Sequence, residues 1–251
     1  MRRRLNNFIA RLTHLFPSNL LTVDTVTIMT VFILDPCAYT RCALKSSLGA
    51  NGVKGSIRTL DSLTALKKKC QTSSPSVVFI NQNYFQVQHD NEELKSVIDQ
   101  HPATLFFIFI GNESIKFYDF VPIKNNVIIT SKFIKISTIN MIIRYFMDIK
   151  SWRDDKETIG FAPLRFSKTE AEILTMWMSG YDTFHICSHL HIKEKTLSSH
   201  KINIKRKTRA SNKQVIYHLI TIANSVTEGI NHHWQKPVGF TNTATYPLQS
   251  A

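Results

Sequence analysis

Between residues 30 and 149, short unbroken apolar runs alternate with segments whose apolar positions recur at helical spacing. The runs at 31–34, 53–58, 76–81, 104–110 and 127–130 predict five strands, the second entered through an Asn51-Gly52 turn. Helices are predicted over 38–48, 62–69, 92–100 and 136–149, with a short one at 114–119. Strands that read as continuous apolar runs are covered by helices on both faces, as a parallel sheet requires. The alternation therefore predicts an α/β fold with a doubly wound parallel sheet, and five repeats fit the strand order 2-1-3-4-5.

Past residue 163 the pattern changes to four amphipathic helices and no strands. Ser167-Lys168-Thr169-Glu170 is an S-x-x-E capping box, after which Ala171, Leu174, Trp177 and Met178 recur at helical spacing and Gly180 supplies a left-handed stop. Asp182 caps a second helix with Ile186, Cys187 and Leu190 on one face and Ile192 packing behind. A bend at 191–193 leads into a third helix over about 194–207, and Ser211-Asn212 caps a fourth with a stripe of Val215, Ile216, Leu219 and Ile220. This spacing predicts an all-α, four-helix unit containing a helix-turn-helix, whose third helix enters the major groove of DNA.

The third helix carries the charge. Leu197 and Ile204, with His200 between them, face inward, and Lys195, Ser198, Ser199, Ile202, Lys205 and Arg206 lie opposite. From 193 to 213 there are eight Lys or Arg against one acid, Glu194, a balance suited to neutralising phosphates and releasing counterions. A basic run by itself signals no more than a solvated helix face. Here the caps, Gly180 and the bend fall at the offsets a DNA-binding module needs.

Composition widens the picture only slightly. A chain of 251 residues, 43% apolar, buries cores for two modest domains. Its net charge of +13 favours an anionic partner, nucleic acid or an anionic membrane. No 18-residue apolar run occurs, and the best candidate, 20–34, is broken by Asp24, so no membrane association is expected. Cys37, Cys42, Cys70 and Cys187 form no C-x-x-C pattern and read as reduced thiols of a cytoplasmic protein. His185 and His189 have a metal-binding spacing with only His191 as a further ligand; ordinary polar-face histidines explain them, and no metal or cofactor is predicted. Residues 1–28, basic at the front and lacking a clean apolar core, read as a disordered or untranslated extension, with an amphipathic anchor the alternative and Met29 a candidate start. Residues 150–163 are expected to be a linker and 227–251 a disordered tail, leaving domains at 29–149 and 164–226.

The pattern G-x-x-T-x-x-I-C-x-x-L-x-I followed by K-T-L-S-S-H-x-x-x-I resembles the LuxR/NarL/FixJ class of bacterial regulators, with Thr196, Leu197, His200 and Ile204 in register. The segments WMSG, KTLSSHKINIKRK and SNKQVIYH, with LDPCAYTRCAL, SPSVVFINQNYF and QHPATLFFIFI upstream, more narrowly resemble the RcsA-type capsule-synthesis activators of enterobacteria, over about 29–229. Two positions depart from the wider class: Lys193 stands where a Ser or Asp cap is usual, and Cys187 replaces an Ala. The resemblance implies a transcriptional activator of capsular and exopolysaccharide genes. It also implies an unphosphorylated auxiliary subunit that binds double-stranded promoter DNA as a heterodimer with an RcsB-type response regulator. On that reading Lys193, Lys195, Thr196, Ser198, Ser199, Lys201, Ile202, Lys205 and Arg206 form the DNA-binding surface. Lys195, Lys201, Lys205 and Arg206 would touch phosphates and the two serines would approach base edges. The class also uses its fourth helix for dimer contacts, which places Val215, Tyr217 and Ile220 at the partner.

A receiver-like sheet of this kind raises the question of phosphoryl chemistry. A working receiver needs two acids after strand 1 and one after strand 3 to hold Mg²⁺, the last accepting the phosphoryl group. Here strand 1 ends in Asp35 alone, and Asn81 stands where the acceptor carboxylate belongs. Lys132 keeps the matching place after strand 5, either as a vestige or as an ion-pair partner of Asp35. The sequence thus predicts a pseudo-receiver. It carries no glycine-rich phosphate loop or catalytic triad, so neither an enzyme nor a small-molecule substrate is expected. The rival reading is an adaptor that titrates a partner regulator and has only non-specific DNA affinity.

Overall fold

The computed structural model describes residues 28–50, 55–85, 91–110, 117–152 and 161–227, with only the helical backbone described for 148–152. The expectations for the basic extension, the Asn51-Gly52 turn, most of the linker and the tail fall outside the described residues.

The first domain runs β1 (Val31–Leu34), α1 (Ala38–Ala50), β2 (Ile57–Thr59), α2 (Leu63–Thr72), β3 (Val77–Asn81), α3 (Glu92–Gln100), β4 (Leu105–Ile110), β5 (Phe120–Lys124), β6 (Val127–Ser131) and α4 (Ile136–Trp152). The sheet order is β2-β1-β3-β4-β6-β5, and β5–β6 is its antiparallel pairing. The parallel part reproduces the order expected from the sequence. The sixth strand corrects it: β5 closes the sheet as a hairpin with β6 just after the region read as a short helix, of which residues 117–119 are non-helical.

Successive side chains of a strand point to opposite faces, and this divides the core in two. Ile33, Phe79, Phe107 and Phe109 pack with Leu44 and Leu48 of α1 and Ile142 and Phe146 of α4. Phe32, Val78, Phe106 and Ile108 pack on the other side with Leu66 of α2 and Leu94 and Val97 of α3. The ring of Phe79 stacks on Phe107 at 4.9 Å and on Phe109 at 5.9 Å.

At the β5 edge, Pro122 interrupts the ladder, which is tolerated where no further strand follows. The chain arriving at the second domain covers that edge. Phe161 N–H donates to the Asn125 carbonyl and Leu164 N–H to the Pro122 carbonyl, both at 2.8 Å, while the Phe161 ring meets Phe120 edge-on. Within the stretch expected to be a linker, α4 continues through Trp152, and Phe161 is tied to the turn between β5 and β6.

The second domain comprises α5 (Lys168–Met178), α6 (Thr183–Leu190), α7 (Glu194–Thr208) and α8 (Lys213–Val226). Both halves of the capping box form at Ser167 and Glu170. Asp182 caps α6 by accepting from His185 N–H at 2.8 Å, and Asn212 caps α8. Gly180 and His191 take the left-handed conformations (φ 92° and 52°) that end α5 and α6, so the bend of the helix-turn-helix is set at His191. Ile173, Ile186, Leu197, Ile204 and Ile216 fill the space between the four helices.

Side-chain and backbone contacts join the domains. Arg209 binds Asp119 at 3.0 Å and lies 4.5 Å from the Phe120 ring centroid. The Asn91 backbone N–H donates to the Ser225 carbonyl at 3.2 Å. His218 Nε2 lies 2.7 Å from Gln82 Oε1, and burial lowers the imidazole's pKa below its ordinary value.

Candidate nucleic-acid interface

The surface expected to meet DNA is one side of α7. Glu194 in its first turn and Lys205, Arg206 and Lys207 in its last complement the helix dipole, although Lys193 makes no side-chain cap. Leu197, Ile204 and Thr208 are buried beneath the helix. Lys193, Lys195, Thr196, Ser198, Ser199, Ile202, Lys205 and Arg206 are exposed on its outer side. Ser198, Ile202 and Arg206 follow at i, i+4 and i+8, with Lys195, Ser199 and Lys205 beside them, so one face stacks cations around a short-chained centre. The Ser199 hydroxyl donates to the Lys195 carbonyl at 3.0 Å, which leaves its oxygen lone pairs as acceptors on the outer face.

Not every cation of this stretch is available. Lys201 is half-buried with its ammonium 5.3 Å from the Trp177 centroid, and burial lowers its pKa, aided by Lys213 and Lys205. Lys207 binds the Glu170 carboxylate and lies 5.8 Å from the Phe166 ring, and Arg209 is engaged by Asp119. Of the DNA-facing residues expected from the sequence, Lys201 is thus the one drawn back from the outer face.

Glu170 links this surface to the domain core, because its Oε2 accepts the Ser167 N–H at 2.9 Å as well as the Lys207 ammonium. Burial alone would raise its carboxyl. The bonds from Lys207 and Ser167 outweigh that and hold the pKa below the usual glutamate range. The stability this depression contributes is present above the unfolded-state pKa and is lost as pH falls through the lowered folded value.

The sheet domain's own pocket is internally satisfied. Asp35, fully buried, accepts Cys37 N–H at 2.8 Å and the Lys132 ammonium at 2.9 Å on Oδ1, and the Asn81 amide at 3.0 Å on Oδ2. Asn81 also accepts from Asn83 N–H at 2.9 Å, while Arg41 donates to the Asp35 and Pro36 carbonyls. Both oxygens of the buried Asp35 carboxylate are therefore occupied by N–H donors, a set that does not fit the oxygen-rich shell of Mg²⁺. Among the described residues no group of three potential metal ligands occurs, and His185 instead sits 2.9 Å from Asp182. Asn81→Asp is expected to set a second carboxylate against Asp35 and still take up no phosphoryl group from acetyl phosphate. Radiolabel incorporation into that variant would contradict this account of the pocket.

Tyr217 is 48% exposed on α8, but Val215 and Ile220, expected at a partner, are buried within the chain. Their place in the apolar stripe that packs α8 onto its own domain and near α3 leaves Tyr217 as the surface residue of the three. The four cysteines are free thiols, and burial pushes Cys70 up to about 11. No helix of the described residues is long and apolar enough to cross a membrane.

A helix-turn-helix of this form defines a DNA-binding unit of the transcription-regulator kind, and residues 164–220 match the luxR family of bacterial regulatory proteins. Residues 30–155 match the family described as "Transcriptional regulator RcsA, N-terminal dimerisation domain". The transcriptional regulatory protein RcsA of Pantoea stewartii subsp. stewartii is 42% identical over 206 residues, covering 80% of this chain and 98% of that protein. RcsA of Escherichia coli O157:H7 is 38% identical over 204 residues with the same coverage. The chain belongs to the RcsA family of transcriptional regulators, not to a family of enzymes. Among solved structures, RcsB from Salmonella enterica serovar Typhimurium bound to promoter rprA is similar at 16% identity and a TM-score of 0.45, covering 79% of this chain and 100% of that one.

Proposed function

We propose that this protein activates capsular and exopolysaccharide genes as an unphosphorylated auxiliary subunit, bound to promoter DNA as a heterodimer with an RcsB-type response regulator. The observation that carries the reading is the outer face of α7, where exposed cations frame Ser198 and Ser199 while the apolar side is fully buried. Lys193, Lys195, Lys205 and Arg206 contact phosphates, and Lys201 supports them from above Trp177. Thr196 and the two serines approach base edges. Serine accepts and donates to several bases, so this helix alone discriminates weakly, and a second recognition helix about one turn of DNA (~34 Å) away supplies the rest. Tyr217 is assigned to the partner contact. The satisfied Asp35 pocket supports control by abundance or by partner rather than by phosphorylation, with no cofactor or small-molecule substrate, in the cytoplasm.

Binding measured as a function of salt tests the phosphate assignment. Lys205→Ala is expected to weaken binding to promoter and scrambled duplexes alike and to flatten the plot of log affinity against log salt by about one unit. An unchanged slope would remove Lys205 from the interface. Equal affinity for promoter and scrambled duplexes with the partner present would leave a basic adaptor.

A further inference from the structure

Ile202 stands out on α7. It is 64% exposed in the middle of the charged face, one helical turn from Ser198 on one side and from Arg206 on the other. The two other branched aliphatic residues of this stretch, Leu197 and Ile204, are buried. Nothing in the fold of the second domain uses Ile202, and a helix of this charge gains no stability from a hydrated isoleucine at its surface. The ligand this face is built for offers one apolar feature in its major groove, the C5 methyl of thymine. Every other base edge there presents donors and acceptors.

We infer that Ile202 packs on a thymine methyl and is the principal specificity-determining residue of this recognition helix, an inference that rests on the DNA-reading function proposed above. The placement suits the contact. A residue midway along the helix, between Lys195 and Ser199 on its N-terminal side and Lys205 and Arg206 on its C-terminal side, lies over base edges when those cations hold the phosphates on either side. Ser198 and Ser199 then hydrogen-bond to neighbouring bases, and Ile202 supplies an apolar selectivity that serine lacks. The half-site read by this protein accordingly contains a thymine that cytosine does not replace.

The test uses the full-length protein with an RcsB-type partner and three duplexes: a capsule-promoter fragment, the same fragment made with uracil throughout in place of thymine, and a scrambled control. Uracil removes the methyl and keeps the pairing. Wild type is expected to lose about 5-fold more affinity than Ile202→Ala on passing from thymine to uracil DNA, the loss shared by both proteins being the partner's own. Alanine is a better helix former than isoleucine, so the variant keeps its fold. An equal uracil penalty for wild type and Ile202→Ala, with the scrambled control still discriminated, overturns the methyl contact alone. Equal binding of wild type to promoter and scrambled DNA overturns the DNA-reading function and this contact with it.

Discussion

Ile204→Ala is expected to destabilise the helix-turn-helix domain by about 4 kcal/mol, as large-to-small changes at fully buried core positions do. Ile204 has no exposed surface, and α7 holds only Leu197, Ile204 and Thr208 in the core. Thr208 spends its hydroxyl on the Ile204 carbonyl at 2.8 Å, so two aliphatic side chains anchor a 15-residue helix that is otherwise cationic. Its repulsive face offers nothing to compensate for a lost anchor, and a cavity forms where α5, α6 and α8 meet. Urea unfolding followed by far-UV circular dichroism measures the change. A loss below about 1 kcal/mol would mean that Ile204 is not packed as described.

Lys132→Met is expected to cost about 3 kcal/mol in the sheet domain, because it removes the cation from a carboxylate that stays buried. Asp35 would keep the Cys37 N–H and the Asn81 amide but lose its counter-charge. The three groups sit at the carboxyl ends of β1, β3 and β6, so the ion pair ties together strands that are 97 residues apart at its extremes. Methionine retains much of the apolar stem, which separates lost charge from lost packing. In a double-mutant cycle, Asp35→Ala with Lys132→Met should cost less than the two changes summed. Additive losses would show that the two side chains do not interact.

Local signals and the parallel strand order were readable in the sequence, and most distant side-chain pairings were not. The bounds of α3 (Glu92–Gln100) follow directly from its apolar spacing, and Ser167, Asp182 and Gly180 mark helix ends through chemistry confined to a single turn. β5 escaped because FVPIK has the Pro122 break of a non-strand, and it is held by a hairpin partner and by residues 161–164 rather than by its own pattern. Periodicity likewise put Ile220 on an apolar stripe without telling which body the stripe meets; in the folded chain that body is its own. The Lys207–Glu170 bond joins residues 37 apart and the Arg209–Asp119 bond residues 90 apart. A count of basic residues includes both cations, yet the fold withdraws them from the DNA face. The amide at the end of β3, by contrast, was plain in the sequence as Asn81, whose side chain donates to Asp35 at 3.0 Å and cannot carry an acyl phosphate.

The central claim is that this protein reads promoter DNA only in company. A gel-shift titration of a capsule-promoter fragment and its scrambled control, run with this protein, with an RcsB-type regulator, and with both, tests it most directly. The account predicts a promoter-specific complex containing both proteins, formed at concentrations where neither alone discriminates the two fragments. Specific binding by this protein alone at the same concentrations, or no added specificity when the two are mixed, would contradict it.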